Sequence, residues 1–194
     1  MKEKLTLRNV IVWGAAFLGL LFFFLSFAAK AQLYGEDSGD KIAYIFRNAI
    51  WSCNFLEARI NGGYMMGSAV DGKPFVLPII GIVLLLLAVL AAVAISFFVK
   101  DNKLSKILLI ACGGLAIVGG VFIFFVGESA LRSFVYLIDG EDGLAHIEEY
   151  RAEMLNGGWH MGPRFLGTLI GIVAILAGAS FIVAPLLPEK KLAK

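Results

Sequence analysis

Few side chains in this sequence have the type and spacing to do chemistry. His146 and Glu149 stand three residues apart, so a helix would put them on one face, and with His160 they form the only combination resembling a metal set. A zinc site needs three or four ligands at recognised spacings. The chain has no His-Glu-x-x-His and no cysteine pair, so neither a metal nor another cofactor is expected. Gly140-Glu141-Asp142-Gly143 is acidic but lacks the alternating oxygen ligands of a calcium loop, and a solvated turn is the better reading. The two cysteines make no disulfide framework. Cys112, beside Gly113 and Gly114, suits a helix contact, and Cys53 suits partial burial on the apolar side of its segment. No serine has a candidate base, and no glycine-rich phosphate cradle is present. The expectation is a chain that is not an enzyme and does not bind nucleic acid.

The most specific pattern occurs twice. Asn61-Gly62-Gly63-Tyr64-Met65-Met66-Gly67 matches Asn156-Gly157-Gly158-Trp159-His160-Met161-Gly162. One reading is structural: Asn and Gly tolerate the left-handed conformation that ends a helix, and an aromatic residue then anchors at a membrane interface. The functional reading is a pair of symmetry-related loops forming one recognition site. Its candidates are Asn61, Gly62, Gly63, Tyr64, Met66, Asn156, Gly157, Gly158, Trp159, His160 and Met161.

The elements that must position these loops are apolar. The composition is 59% hydrophobic and 16% charged, whereas ordinary globular chains have about 45–50% and about 25%. Four uncharged runs, at about 10–29, 75–99, 107–126 and 165–187, are each long enough to cross a hydrocarbon core of about 30 Å. Continuous runs exclude the alternating pattern of a membrane barrel. The first run, after Lys2, Lys4 and Arg8, also resembles a signal peptide. It exceeds the usual core of about 7–15 residues, so it is expected to be retained.

Charge sets the orientation. Segments 1–8, 100–106 and 188–194 hold nine of the 17 Lys and Arg residues but only Glu3, Asp101 and Glu189 among the acids. Segments 30–74 and 127–164 hold the other eight basic residues and twelve acidic ones. Lys and Arg concentrate in cytoplasmic segments. The chain is therefore expected in the plasma (inner) membrane with both termini cytoplasmic and the two long loops outside.

Beyond the motif, Phe75, Ile80, Gly81, Ile82 and Val83 align with Phe165, Ile170, Gly171, Ile172 and Val173. This predicts two parallel helix–outer loop–helix repeats, 1–100 and 101–194, related by an axis along the membrane normal. Each loop is expected to contain helix, at Lys41–Ile60 and Gly143–Leu155, because neither stretch has proline and each precedes Asn-Gly-Gly. The predicted fold is thus an all-α, four-transmembrane-helix bundle with short helices in its outer loops. Gly14, Gly19, Gly113, Gly114, Gly167, Gly171 and Gly178 are candidates for close helix packing, within the bundle or against another subunit.

The topology, with its longer first outer loop, is similar to tetraspan families such as the claudins, and Trp51-Ser52-Cys53 resembles their Trp…Cys signature. The second loop cysteine of that signature is missing, so no function is carried over. The four runs contain no Asp, Glu, Lys, Arg or His, which argues against a proton-coupled transporter or single-chain ion channel. The function that fits is a non-enzymatic structural or accessory subunit of a membrane assembly. It would pack through Gly/Ala faces in the lipid bilayer and recognise other membrane subunits, or itself, through its acidic outer loops. The alternative is a transporter or pore component with a path along the pseudo-twofold axis.

Overall fold

The computed structural model describes residues 6–99 and 101–187. Six of the basic residues that set the predicted orientation (Lys2, Lys4, Lys100, Lys190, Lys191 and Lys194) lie outside them. The chain runs α1 (Leu7–Leu25), β1 (Lys30–Asp37), β2 (Asp40–Arg47), β3 (Phe55–Ile60), β4 (Gly63–Ala69), α2 (Val76–Phe98), α3 (Asn102–Ile123), α4 (Val126–Ala145), α5 (Ile147–Asn156), β5 (His160–Pro163) and α6 (Phe165–Val183). Among the described residues four helices are long and apolar enough to cross a membrane, and they begin at Leu7, Val76, Asn102 and Phe165. A helix pairs its interior backbone polar groups within itself, as lipid requires. Pro78 falls in the first turn of α2, where its missing N–H has no helical partner to lose.

The residues gather into two compact units. One takes the chain up to Phe24, Ile80–Val121 and the chain from Ile170 onward; the other takes Leu25–Ile79 and Phe122–Leu169.

The first unit is helical and held by small residues. A methyl group on Gly113 would come within 2.6 Å of the Gly178 carbonyl oxygen, and one on Gly178 within 2.6 Å of the Gly113 carbonyl. Gly120 approaches the carbonyl of Gly171 in the same way, and Gly119 that of Gly81. Helix α3 therefore touches α6 and α2 through backbone, a proximity only glycine permits. Gly19 faces Val89 across the α1–α2 contact. Near the start of α1, Trp13 stacks on Phe97 with ring centroids 5.3 Å apart and its Nε1 donates to Ser96 Oγ. Gly14 and Gly114 face open space.

The second unit corrects the all-α expectation. It contains a five-stranded antiparallel sheet in the order β4-β3-β2-β1-β5, and the helix predicted over Lys41–Ile60 is instead β2, a turn and β3. The physical reason lies in the side chains. Ile42, Tyr44 and Phe46 alternate onto the core face and pair across strands with Ile60, Ala58 and Leu56. β-Branched and aromatic residues favour such a pleated surface. Ile45 is buried on the opposite face, so apolar residues occur on both sides and their spacing also fits helical steps of three and four. The predicted helix stop at Asn61-Gly62 is a two-residue hairpin turn with both φ positive, 49° and 81°, the combination that type I′ turns demand. Ser38-Gly39 does the same between β1 and β2, with φ of 53° and 89°.

The second loop is helical, but over a different range from the one predicted. α4 begins at Val126 and bends at Gly140 (φ 64°), and the chain breaks at His146 before α5. Here Asn156-Gly157-Gly158 does end a helix. Gly158 is left-handed, its N–H donates to Leu155 O (3.1 Å) and that of Trp159 to Met154 O (2.8 Å), the two bonds of a Schellman cap. α4 packs on the core face of the sheet. Ala31, Leu33, Phe46 and Val135 are fully buried, and Tyr44 meets Phe134 at 4.7 Å between centroids.

Candidate recognition surface

The two repeated motifs supply the two outer strands of the sheet: Gly63 opens β4, and β5 begins at His160. Asn61 and Gly62 form the turn before β4. The Asn61 side chain fastens that turn to β2, accepting from Lys41 N (3.0 Å) and donating to Asp40 Oδ1 (2.7 Å). Tyr64, Met65 and Met66 on β4 are 63%, 60% and 56% exposed. In the second motif Trp159 turns inward, stacked on Tyr44 with centroids 5.9 Å apart. Met161 and Gly162 are half-buried on β5, opposite Leu33 and Gln32 of β1. Asn156 and Gly157 close α5.

The other face of the sheet is polar. Register places Gln32, Tyr34 and Glu36 of β1 beside Ile45, Ala43 and Lys41 of β2, with Glu57 and Arg59 of β3 next to Ile45 and Ala43. Ala43 is small and stands between the taller Tyr34 and Arg59, which leaves a depression. A cavity of about 530 Å³ occupies it, lined by residues of both motifs (Gly62, Gly158, His160) together with Gln32, Tyr34, Arg59 and Arg164. This volume lies within the usual range of small-molecule sites, roughly 300–1,000 Å³. His160 leans on Tyr34 at 5.6 Å between ring centroids.

Beneath this face Glu57 is only 2% exposed. Arg59 Nε donates to its Oε1 (2.6 Å) and Arg47 Nη2 to its Oε2 (3.0 Å). These two charge-assisted bonds hold the carboxyl below its ordinary pKa, Arg47 first and Arg59 second, against the opposing effect of burial. Arg47 also lies over the Phe55 ring, 4.7 Å from its centroid. A buried carboxylate thus aims two guanidinium groups along the polar face.

The remaining candidates scatter. His146 and Glu149 border a separate acidic cavity of about 380 Å³ with Asp139, Asp142 and Glu153, while His160 is on the sheet, so the imagined metal set is not brought together. Among the described residues no group of three His, Cys, Asp or Glu is arranged to hold a metal. Cys53 is buried behind Gly72 and Ser133, and burial pushes its thiol up to about 11 although Ser133 pulls the other way. Trp51 stacks on Phe27 (5.1 Å) and donates from Nε1 to Ser26 Oγ (2.9 Å). Gly167 lies against Pro163, Val126 and the Lys30 carbonyl, in the sheet-bearing unit.

Two features escaped sequence reasoning. Ser129 and Ser133, one turn apart on α4, accept from the backbone N–H groups of Phe75 (2.9 Å) and Lys73 (3.0 Å), latching the segment that enters α2. The cations of the polar face are spread over Lys30, Arg47, Arg59 and Arg164; strand register unites the first three, and the Arg164 N–H bond to the Lys30 carbonyl adds the fourth. No protein-family model matches the chain, and no curated protein matches its sequence.

Proposed function

We propose that this chain is a non-enzymatic structural or accessory subunit of a plasma-membrane assembly, with both termini cytoplasmic and segments 30–74 and 127–164 outside. In this reading the sheet-bearing unit is the recognition element and β4 its docking strand. One observation carries this. Among the described residues β4 has a strand neighbour on one side only and exposes Tyr64, Met65 and Met66, yet Gly63–Ala69 contains no charged residue and no proline. Edge strands are normally blunted by such residues or by bulges, because an open edge pairs with other chains; β4 has no such residue but carries one bulge, at Met65. Addition of a partner's strand would use the unmet backbone groups, with the exposed side chains supplying specificity.

The repeat reading belongs to this proposal. Both Asn-Gly-Gly motifs lead through an outer strand into an apolar helix, β4 into α2 and β5 into α6, which supports two parallel copies, 1–100 and 101–194.

Native mass spectrometry of the full chain in mild detergent, wild type beside Tyr64→Lys/Met65→Lys, tests the assignment. Wild type should carry a second copy or a partner subunit, and the variant should lose it at unchanged thermal stability. A strict monomer would count against the reading, and solute flux into liposomes by the chain alone would favour a transporter or pore instead.

A further inference from the structure

The polar face of the sheet ends in a row of cations with too little negative charge to balance it. Lys30 and Arg47 are direct cross-strand partners, and like charges in that position repel. The backbone N–H of Arg164 donates to the Lys30 carbonyl (2.9 Å), which brings a third basic residue alongside. Glu57 answers Arg47 but is shared with Arg59. Among the described residues neither Lys30 nor Arg164 has a carboxylate within ion-pair distance. Arg47 and Arg59 therefore share one buried carboxylate, and Glu36 on the same face stands beside Lys41. Lys30 and Arg164 are left without a counter-charge, an arrangement that calls for an external anion.

Position along the chain says which anion is at hand. Lys30 comes two residues after the apolar span Leu7–Ala28, and Arg164 immediately precedes the span Phe165–Leu186. Basic residues flanking a span stand at the level of lipid headgroups. From the same face opens the 530 Å³ cavity, to which Arg164 contributes along with Gln32, Tyr34 and His160. Those three side chains offer an amide, a phenol and an imidazole, donors and acceptors suited to hydroxyl groups.

We propose that this face binds an anionic phospholipid with a polyol headgroup. Its phosphate is held by Lys30, Arg47 and Arg164, and its hydroxyls enter the cavity over Gln32, Ala43 and Tyr34. The site needs no partner protein, so it stands or falls separately from docking at β4.

The test is a thermal shift of the full chain in neutral detergent with added phosphatidylglycerol, phosphatidic acid or phosphatidylcholine, supported by native mass spectrometry of retained lipid. Phosphatidylglycerol should raise the melting temperature most, phosphatidic acid less, and phosphatidylcholine least. Each cation is expected to contribute about fivefold to the affinity, so Lys30→Gln/Arg164→Gln should weaken phosphatidylglycerol binding at least tenfold. High salt should shrink the effect on wild type, a measurement that holds even if the variant folds poorly. Equal shifts with phosphatidylglycerol and phosphatidylcholine, or a shift indifferent to salt, would overturn the proposal. Equal binding of phosphatidic acid and phosphatidylglycerol would overturn the role of the cavity.

Discussion

Trp159 lies so close against Gly35 that a methyl group at position 35 would come within 2.6 Å of indole Cδ2. The ring also stacks on Tyr44, so the half-buried aromatic residue of the second motif packs on the sheet. Gly35→Ala must push the indole aside, an overpacking cost of about 1–3 kcal/mol. Denaturant or thermal unfolding followed by tryptophan fluorescence should show the variant destabilised by that amount. A variant as stable as wild type would mean that the indole has room to move.

Glu57 supplies a pH dependence of definite sign. Its folded-state pKa is depressed by Arg47 and Arg59, so its contribution is complete above the ordinary carboxylate pKa of about 4.3. That contribution drains away as pH falls below this value and through the folded-state pKa. Melting curves of wild type between pH 7 and pH 3 should therefore show a loss at the acid end that Glu57→Gln lacks. Glu57→Gln should also be less stable than wild type at pH 7, because two guanidinium groups lose their counter-charge.

Ser129 and Ser133 each satisfy a backbone N–H in the segment entering α2. Alanine at either position leaves that donor without its partner, a cost of about 1–3 kcal/mol where water cannot replace the hydroxyl. Hydrogen exchange at the amides of Phe75 and Lys73 should accelerate, the former in Ser129→Ala and the latter in Ser133→Ala. Exchange that quickens equally everywhere would point to global destabilisation and away from a local latch.

Cys53 is buried, and its thiol is pushed up to about 11. Because the thiolate is the reactive form, maleimide at pH 7–8 should leave Cys53 unmodified in the folded protein and label it after denaturation. Rapid labelling of the native chain would contradict the packing around Gly72 and Ser133.

The apolar spans were legible in the sequence because lipid imposes a demand that any reader of composition can see: about twenty residues without charge. The sheet was less legible. Apolar residues on both faces of β2, with Ile45 opposite Phe46, blur the period of two into helical spacing. Asn61-Gly62 carried a hairpin signal, but the second Asn-Gly-Gly, which does cap α5, invited the same reading for the first. Of the proposed recognition residues, Gly62, Gly158 and His160 border the cavity and Tyr64 and Met66 stand exposed on β4. Lys30, Arg47, Arg59 and Arg164 were invisible as a group because they are far apart in sequence and become neighbours only through strand register and the Arg164–Lys30 backbone bond.

The pairing of β1 with β5 also sets a timetable for biosynthesis. Tyr34 finds its partner His160 only after more than 120 further residues have been made. At roughly 5–20 residues per second that is on the order of ten seconds. Through that interval β1 has a bare flank that the hairpins β1–β4 cannot cover themselves. A chain stalled before His160 would present β1, in place of β5, as the outer strand of its sheet.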